Sequence, residues 1–147
     1  MIFAQELFSD AFKDMEPLLI MHYEEISHHK HIPIEPWIER YQQLEDAGAL
    51  KIFTVREESG LIGYAVFIVS RSLHNCQIIQ AVQDIVFIEK EKRGFGKSFL
   101  AWCDEQLKAL GVQIVYHHVN HKHNWGSLLD KLGYELVDLV YGKRLDT

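Results

Sequence analysis

Residues 84–111 read DIVFIEKEKRGFGKSFLAWCDEQLKALG, and this stretch decides the fold. After Asp84 the run Ile85-Val86-Phe87-Ile88 is wholly apolar, the pattern of a strand buried on both faces. Phe99, Leu100, Cys103, Leu107 and Leu110 then recur at the spacing of one helix face, and Gly111 marks its end. Between strand and helix stand Gly94 and Gly96, flanked by Arg93 and Lys97. A strand, a glycine turn and a helix N-terminus together make an anion site, because unpaired amides and the helix dipole both favour negative charge. Glycine lets a phosphate approach the backbone closely and allows positive φ where it is needed. Lys97 and Arg93 add charge, and Ser98 adds a hydroxyl.

Two nucleotide motifs fail here. A P-loop requires glycine five residues before Gly96-Lys97-Ser98, where this chain has Glu91, a carboxylate that would repel phosphate. A dinucleotide fingerprint begins with Gly94-x-Gly96, but its third glycine is replaced by Phe99, too bulky for close helix–strand packing.

Outward from this stretch, residues 1–5 (MIFAQ) read as a first strand, and Asp10 to Ile26 carry an apolar stripe with helical period. Pro33 and Pro36 interrupt it; a second helix opens at Pro36-Trp37 and stops near Gly48. Residues 50–70 form two strand-like runs around Glu57-Glu58-Ser59-Gly60, a hairpin signal. Residues 77–88 supply a third strand, 112–119 another, 125–133 a short helix, and 134–145 a terminal strand or hairpin. The expected fold is mixed α/β: one domain over residues 1–147, with a central mixed, mostly antiparallel sheet flanked by helices, in the order β-α-α-β-β-β-α-β-α-β.

The chain has 147 residues, 48% of them apolar, enough for a core without disulfides or metal. No apolar run approaches the ~20 residues of a membrane span, and the first ten residues do not resemble a signal peptide. Cys76 and Cys103 fall in different elements, which suits free thiols in a reducing compartment. A cytoplasmic, soluble protein with no membrane partner is expected. The net charge of -6 argues against broad nucleic-acid binding and mildly favours a cationic amine as partner.

Together these features resemble the GNAT acetyltransferase superfamily, whose signature is a strand, a charged spacer, [RQ]-x-x-G-x-[GA] and an amphipathic helix. Gly94-x-Gly96 falls in the glycine positions, Leu132-Gly133-Tyr134-Glu135 resembles the family's later turn, and residues 52–69 its hairpin. The resemblance covers nearly the whole chain and is nearest in flavour to small phage and prophage-type members. Two positions depart from the pattern: Glu91 stands where the signature begins with Arg or Gln, and Leu129 where the family often has a general-acid Tyr.

The resemblance implies N-acetyltransferase activity with acetyl-CoA as cosubstrate. It places the pyrophosphate on Gly94, Phe95, Gly96, Lys97 and Ser98, with Arg93 beside it, and the pantetheine arm along the backbone of Val86 and Ile88. The acceptor would be an amine, either a small molecule or a protein lysine, and a homodimer is compatible with the sequence. Acyl transfer to an amine needs a base, an oxyanion donor and a proton for the thiolate. Asp84 is the first candidate, because a carboxylate on an apolar strand is costly unless paired; His74 and Glu24 follow, and Tyr116, His118 and Tyr141 are further acids. Each of these residues also has an ordinary role open to it, as a turn cap, a solvated face or a core side chain.

The histidines cluster as His28, His29 and His31 and as His117, His118, His121 and His123, with no Cys beside either group, and solvated loop histidines are expected. Residues 26–37 together with the connection Ser72-Leu73-His74-Asn75, and the aromatic side chains Tyr23, Trp37 and Tyr41, are expected to choose the acceptor. A CoA-binding or partner-binding module without catalysis is the competing reading. A phage-associated protein that modifies or blocks a host factor is a third, on resemblance alone.

Overall fold

The computed structural model describes residues 1–27 and 32–146. His28, His29 and His31, and with them that histidine cluster, lie outside the described residues. The order is β1 (Ile2–Glu6), α1 (Phe8–Ile26), α2 (Ile38–Asp46), β2 (Leu50–Glu57), β3 (Gly60–Arg71), β4 (Ile79–Ile88), a 3-10 turn (Lys90–Phe95), α3 (Gly96–Ala109), β5 (Ile114–Tyr116) and α4 (Gly126–Lys131). The sheet runs β1-β2-β3-β4-β5; its first three pairings are antiparallel, and β4 with β5 is parallel. The mixed, mostly antiparallel α/β architecture expected from the sequence is therefore present.

Two cores explain why β2 to β4 read as nearly continuous apolar runs. Alternate residues of a strand point to opposite faces. Phe53, Val55, Ala65 and Phe67 meet Phe99, Cys103 and Leu107 of α3 on one face. Ile52, Tyr64, Val66 and Phe87 meet Phe8, Ala11, Met15 and Leu18 of α1 on the other. Those α1 residues recur at intervals of three and four, one stripe of a helix. Burying a side chain such as Phe53, which is 0% exposed, contributes on the order of 2 kcal/mol.

Turn chemistry fixes the ends. Gly60 closes the β2–β3 hairpin with φ 118, a conformation that L side chains rarely adopt. Gly111 ends α3 with φ 91, while Val112 N–H returns to Leu107 O at 3.1 Å.

The chain departs from the sequence expectation at its last element. Residues 134–146 form no strand, and β5 covers only 114–116 rather than 112–119. The run Leu136-Val137-Asp138-Leu139-Val140-Tyr141 is rich in strand-forming residues, but a strand also needs a partner edge, which the segment's own sequence does not report.

Candidate cofactor and acceptor site

The site is built where β4 leaves its neighbour. β4 pairs with β5 only through Gln80↔Ile114, Ala81↔Val115 and Val82↔Tyr116. β5 then ends while β4 continues to Ile88, so this edge of β4 carries no strand from Gln83 onward. A register shift falls just there: Val66 faces Ile85 and Phe67 faces Gln83, leaving Asp84 as the extra residue of a β-bulge. Glu89 N–H points to Ile62 O on the β3 side, so by alternation the backbone groups of Val86 and Ile88 face the open edge. The Val86 and Ile88 side chains turn toward the α3 core.

The open edge runs into the glycine turn. Neither Gly94 nor Gly96 has positive φ, contrary to one reason the sequence offered for them. A Cβ on Gly94 would meet nothing within 4 Å, and one on Gly96 only ordinary contacts with Leu128 and Ile88. No fold requirement explains Gly94; the missing side chain leaves the backbone bare to solvent. No side chain caps the start of α3, and Lys97 and Ser98 are exposed there, with Phe95 half-buried. The 3-10 turn runs directly into α3 and Gly96 N–H already donates to Arg93 O, so a phosphate-bearing cosubstrate fits here through the bare backbone at Gly94 and the exposed Lys97 rather than through a row of free amides. Ser98 Oγ donates to Phe95 O at 2.8 Å, so the hydroxyl proton is already committed.

Arg93 is turned elsewhere. Its Nε donates to Ile88 O at 2.8 Å, and its two terminal nitrogens donate to Glu25 of α1 at 2.9 and 2.8 Å. The guanidinium also lies 5.6 Å over the Phe87 ring. The Arg93 hydrogen bond holds the Glu25 carboxyl below the usual range. Together they wall a cavity of about 510 Å³ with Met21, Glu24, Phe87, Lys90 and His123. Burial beside Phe87 lowers His22 to about 4, which keeps it neutral at pH 7.

The candidates named from sequence occupy different places. Asp84 is exposed rather than buried, and it accepts a 2.5 Å hydrogen bond from Tyr41 Oη. The bulge explains this: it turns the carboxylate out of the apolar alternation. Tyr41 stacks on Phe8 at 5.5 Å, and burial first, then the Asp84 contact, raises its pKa. Glu24 is on the cavity wall next to Glu25. His74 lies in the β3–β4 turn, its N–H on Ser72 Oγ, at the opposite end of β4 from the glycine turn. Tyr141 is 90% exposed, and Trp37 67%. Leu129 is buried in α4, so no hydroxyl stands at that position.

The sequence expectation of a solvated loop histidine fails at His117, which packs among aromatic rings, and Gln83 was not singled out. His117 Nδ1 is 2.7 Å from Gln83 Oε1, bridging the point where β4 and β5 part, and its ring packs edge-on to Phe67, Trp125 and Tyr134. Burial lowers its pKa to about 4, and Nε2 is buried without a partner. The sequence placed His117 and His118 on opposite faces of the expected strand over 112–119 but did not say which face is packed.

No protein-family model and no curated protein matches the chain. Solved structures do. A ribosomal-protein-alanine N-acetyltransferase from Brucella melitensis biovar Abortus 2308 superposes with a TM-score of 0.70 at 16% identity, over 99% of this chain and 100% of that one. The glucosamine-6-phosphate N-acetyltransferase of Arabidopsis thaliana gives 0.72 at 15%, over 99% and 100%. The chain has the GNAT acetyltransferase fold. A predicted acetyltransferase from Clostridium acetobutylicum, solved with acetyl-CoA, shares that GNAT fold at a TM-score of 0.69 and 11% identity, over 98% and 96%. At these identities the GNAT likeness is one of fold.

Proposed function

We propose that the chain is an acyl-CoA-dependent N-acyltransferase, moving an acetyl group from acetyl-CoA to a primary amine by direct attack. One observation carries this reading: the unpaired edge of β4 leads straight into a glycine turn whose Gly94 has no structural need to be glycine. The pantetheine arm would add along the backbone of Val86 and the N–H of Ile88, whose carbonyl already accepts from Arg93 Nε, and the pyrophosphate would rest on residues 94–98 beside Lys97. Acetyl-CoA supplies the activated thioester.

The chain's residues then have separate tasks. Glu24, on the cavity wall beside the Arg93-paired Glu25, is the carboxylate left to meet a protonated amine, while Arg93 and Lys90 balance the charge of the wall. Asp84, fixed by Tyr41 at the bulge, takes the proton the amine must lose before it attacks. As the carbon–nitrogen bond forms and the carbon–sulfur bond breaks, the second proton of the nitrogen passes to the departing thiolate, leaving an amide and the free thiol of CoA. His74 stands too far along the sheet for a part in this scheme. The names of the two N-acetyltransferases of this fold point to an alanine and an amino sugar as acceptors, which supports an amine acceptor here. We propose a cytoplasmic location on the same footing. The second reading, a CoA-binding module without turnover, is favoured by buried Leu129 where a proton donor would stand.

Thiol release from acetyl-CoA with a panel of amines tests the proposal. Amine-dependent release that drops about 100-fold in Asp84→Asn is expected. Acetyl-CoA binding without release by any amine would favour the module.

A further inference from the structure

Acyl transfer puts a growing negative charge on the thioester oxygen, and a fixed hydrogen-bond donor aimed at that oxygen speeds the reaction. Asp84 deals with the proton of the amine, so the donor has to come from another side chain near the start of the open β4 edge. Two side chains stand there without a task. Gln83 is the first residue of β4 beyond its last pairing with β5, Val82↔Tyr116. His117 is the first residue beyond β5 itself.

The bulge sends Gln83 and its neighbour Asp84 to opposite faces of the sheet. Asp84 turns to Tyr41 of α2. Gln83 lies opposite Phe67, a member of the core beneath α3, and residues opposite one another on paired strands share a face. His117 joins Gln83 on that face, its ring 5.5 Å from Phe67 and its Nδ1 2.7 Å from Gln83 Oε1. Burial keeps the ring neutral at pH 7, so it carries one proton. An amide oxygen only accepts, which puts that proton on Nδ1. Turning the amide over would move the proton to Nε2, which is buried with no partner. An orphaned buried N–H is rarer than an orphaned lone pair, so the first arrangement stands. With Oε1 held by His117, the Gln83 NH2 points away from the ring, and it donates to nothing among the described residues.

We propose that the Gln83 side-chain amide donates to the carbonyl oxygen of the bound thioester, and that His117 is the positioning residue that aims it. The inference rests on the acyl-transfer reading above. As the amine attacks, the carbonyl electron pair moves onto oxygen, where the Gln83 N–H meets it. The pair returns to form the amide carbonyl as the carbon–sulfur bond breaks and the thiolate leaves. Such a donor is worth most when it need not reorganise during the reaction. Phe67, Trp125 and Tyr134 pack edge-on around the His117 ring and so fix the group that holds Gln83. Base and oxyanion donor thus sit on adjacent residues, separated by one bulge.

NMR of the nitrogen-labelled full chain tests this through the Gln83 side-chain amide, its signal identified by its loss in Gln83→Leu. Acetyl-CoA should shift that signal, and CoA, which lacks the carbonyl, should not. Gln83→Leu should lower kcat about 100-fold while the Kd for acetyl-CoA stays within about twofold of the natural chain. His117→Phe keeps the ring packing and should lower kcat about tenfold, with no further loss when added to Gln83→Leu. Acetyl-CoA that binds without moving the Gln83 signal overturns the proposal. So does Gln83→Leu working at the natural rate, or a double variant whose losses simply multiply. A Gln83 shift without turnover of any amine would sustain the contact and overturn the transfer reading alone. Absence of acetyl-CoA binding by calorimetry overturns both.

Discussion

Arg93 joins the glycine turn to α1 through two hydrogen bonds to Glu25, 2.9 and 2.8 Å long, while its Nε holds Ile88 O. All three contacts use guanidinium donors, so the charge nearest Gly94 is already engaged. Lys97 is exposed and takes part in no ion pair among the described residues, leaving it the cation available to a phosphate. Lys97→Ala should weaken acetyl-CoA binding about fivefold or more at low salt, an effect that shrinks as salt rises. Arg93→Ala should weaken it less. Its ion pair is partly exposed and worth about 1 kcal/mol or less to stability. Titrations at two ionic strengths separate the two; a larger loss for Arg93→Ala would show that it leaves Glu25 for the ligand.

Gly63 faces Ile88 across β3 and β4, and its contacts are tight. A Cβ there would stand 3.0 Å from Phe87 O and 3.2 Å from Ile88 Cγ1. Gly63→Ala should therefore destabilise the chain by about 1–3 kcal/mol, because a backbone carbonyl cannot move aside as a side chain can. Urea denaturation measures this. A stability within ~0.5 kcal/mol of the natural chain would contradict the account of that strand pair.

Two half-buried histidines set an acid limit. Burial lowers His22 and His117 from 6.5 to about 4. Between those values the unfolded chain binds protons that the folded chain does not, so stability is complete above pH 6.5 and is lost as pH falls toward 4. Each histidine contributes up to about 3 kcal/mol to this loss. Urea midpoints should fall steadily from pH 7 to pH 4.5, and His117→Gln should flatten part of the slope. A midpoint constant over that range would contradict the buried, neutral assignment.

The strands and helices were legible wherever local pattern and global packing agree. The stripe Phe99, Cys103, Leu107 and the run Ile85 to Ile88 each have their burial written in their spacing. Asp84 was legible as unusual but not as exposed, because its placement depends on a one-residue slip against Phe67 and Val66 that no single strand records. The Arg93–Glu25 pair spans 68 residues, and His117–Gln83 spans 34; neither pairing has a local signal. The open segment after Tyr134 is rich in strand-forming residues, but composition does not say whether an edge will take it.

Acetyl-CoA titration of the natural chain beside Gly94→Glu is the most direct measurement. A Cβ at 94 would meet nothing within 4 Å, so the variant should fold with an unchanged melting temperature, while its carboxylate repels phosphate at the turn. Micromolar binding by the natural chain and a loss of at least about tenfold in the variant is the expected result, a change of roughly 1.4 kcal/mol or more. No binding by the natural chain, or equal binding by both, would contradict the assignment of this turn as the pyrophosphate cradle.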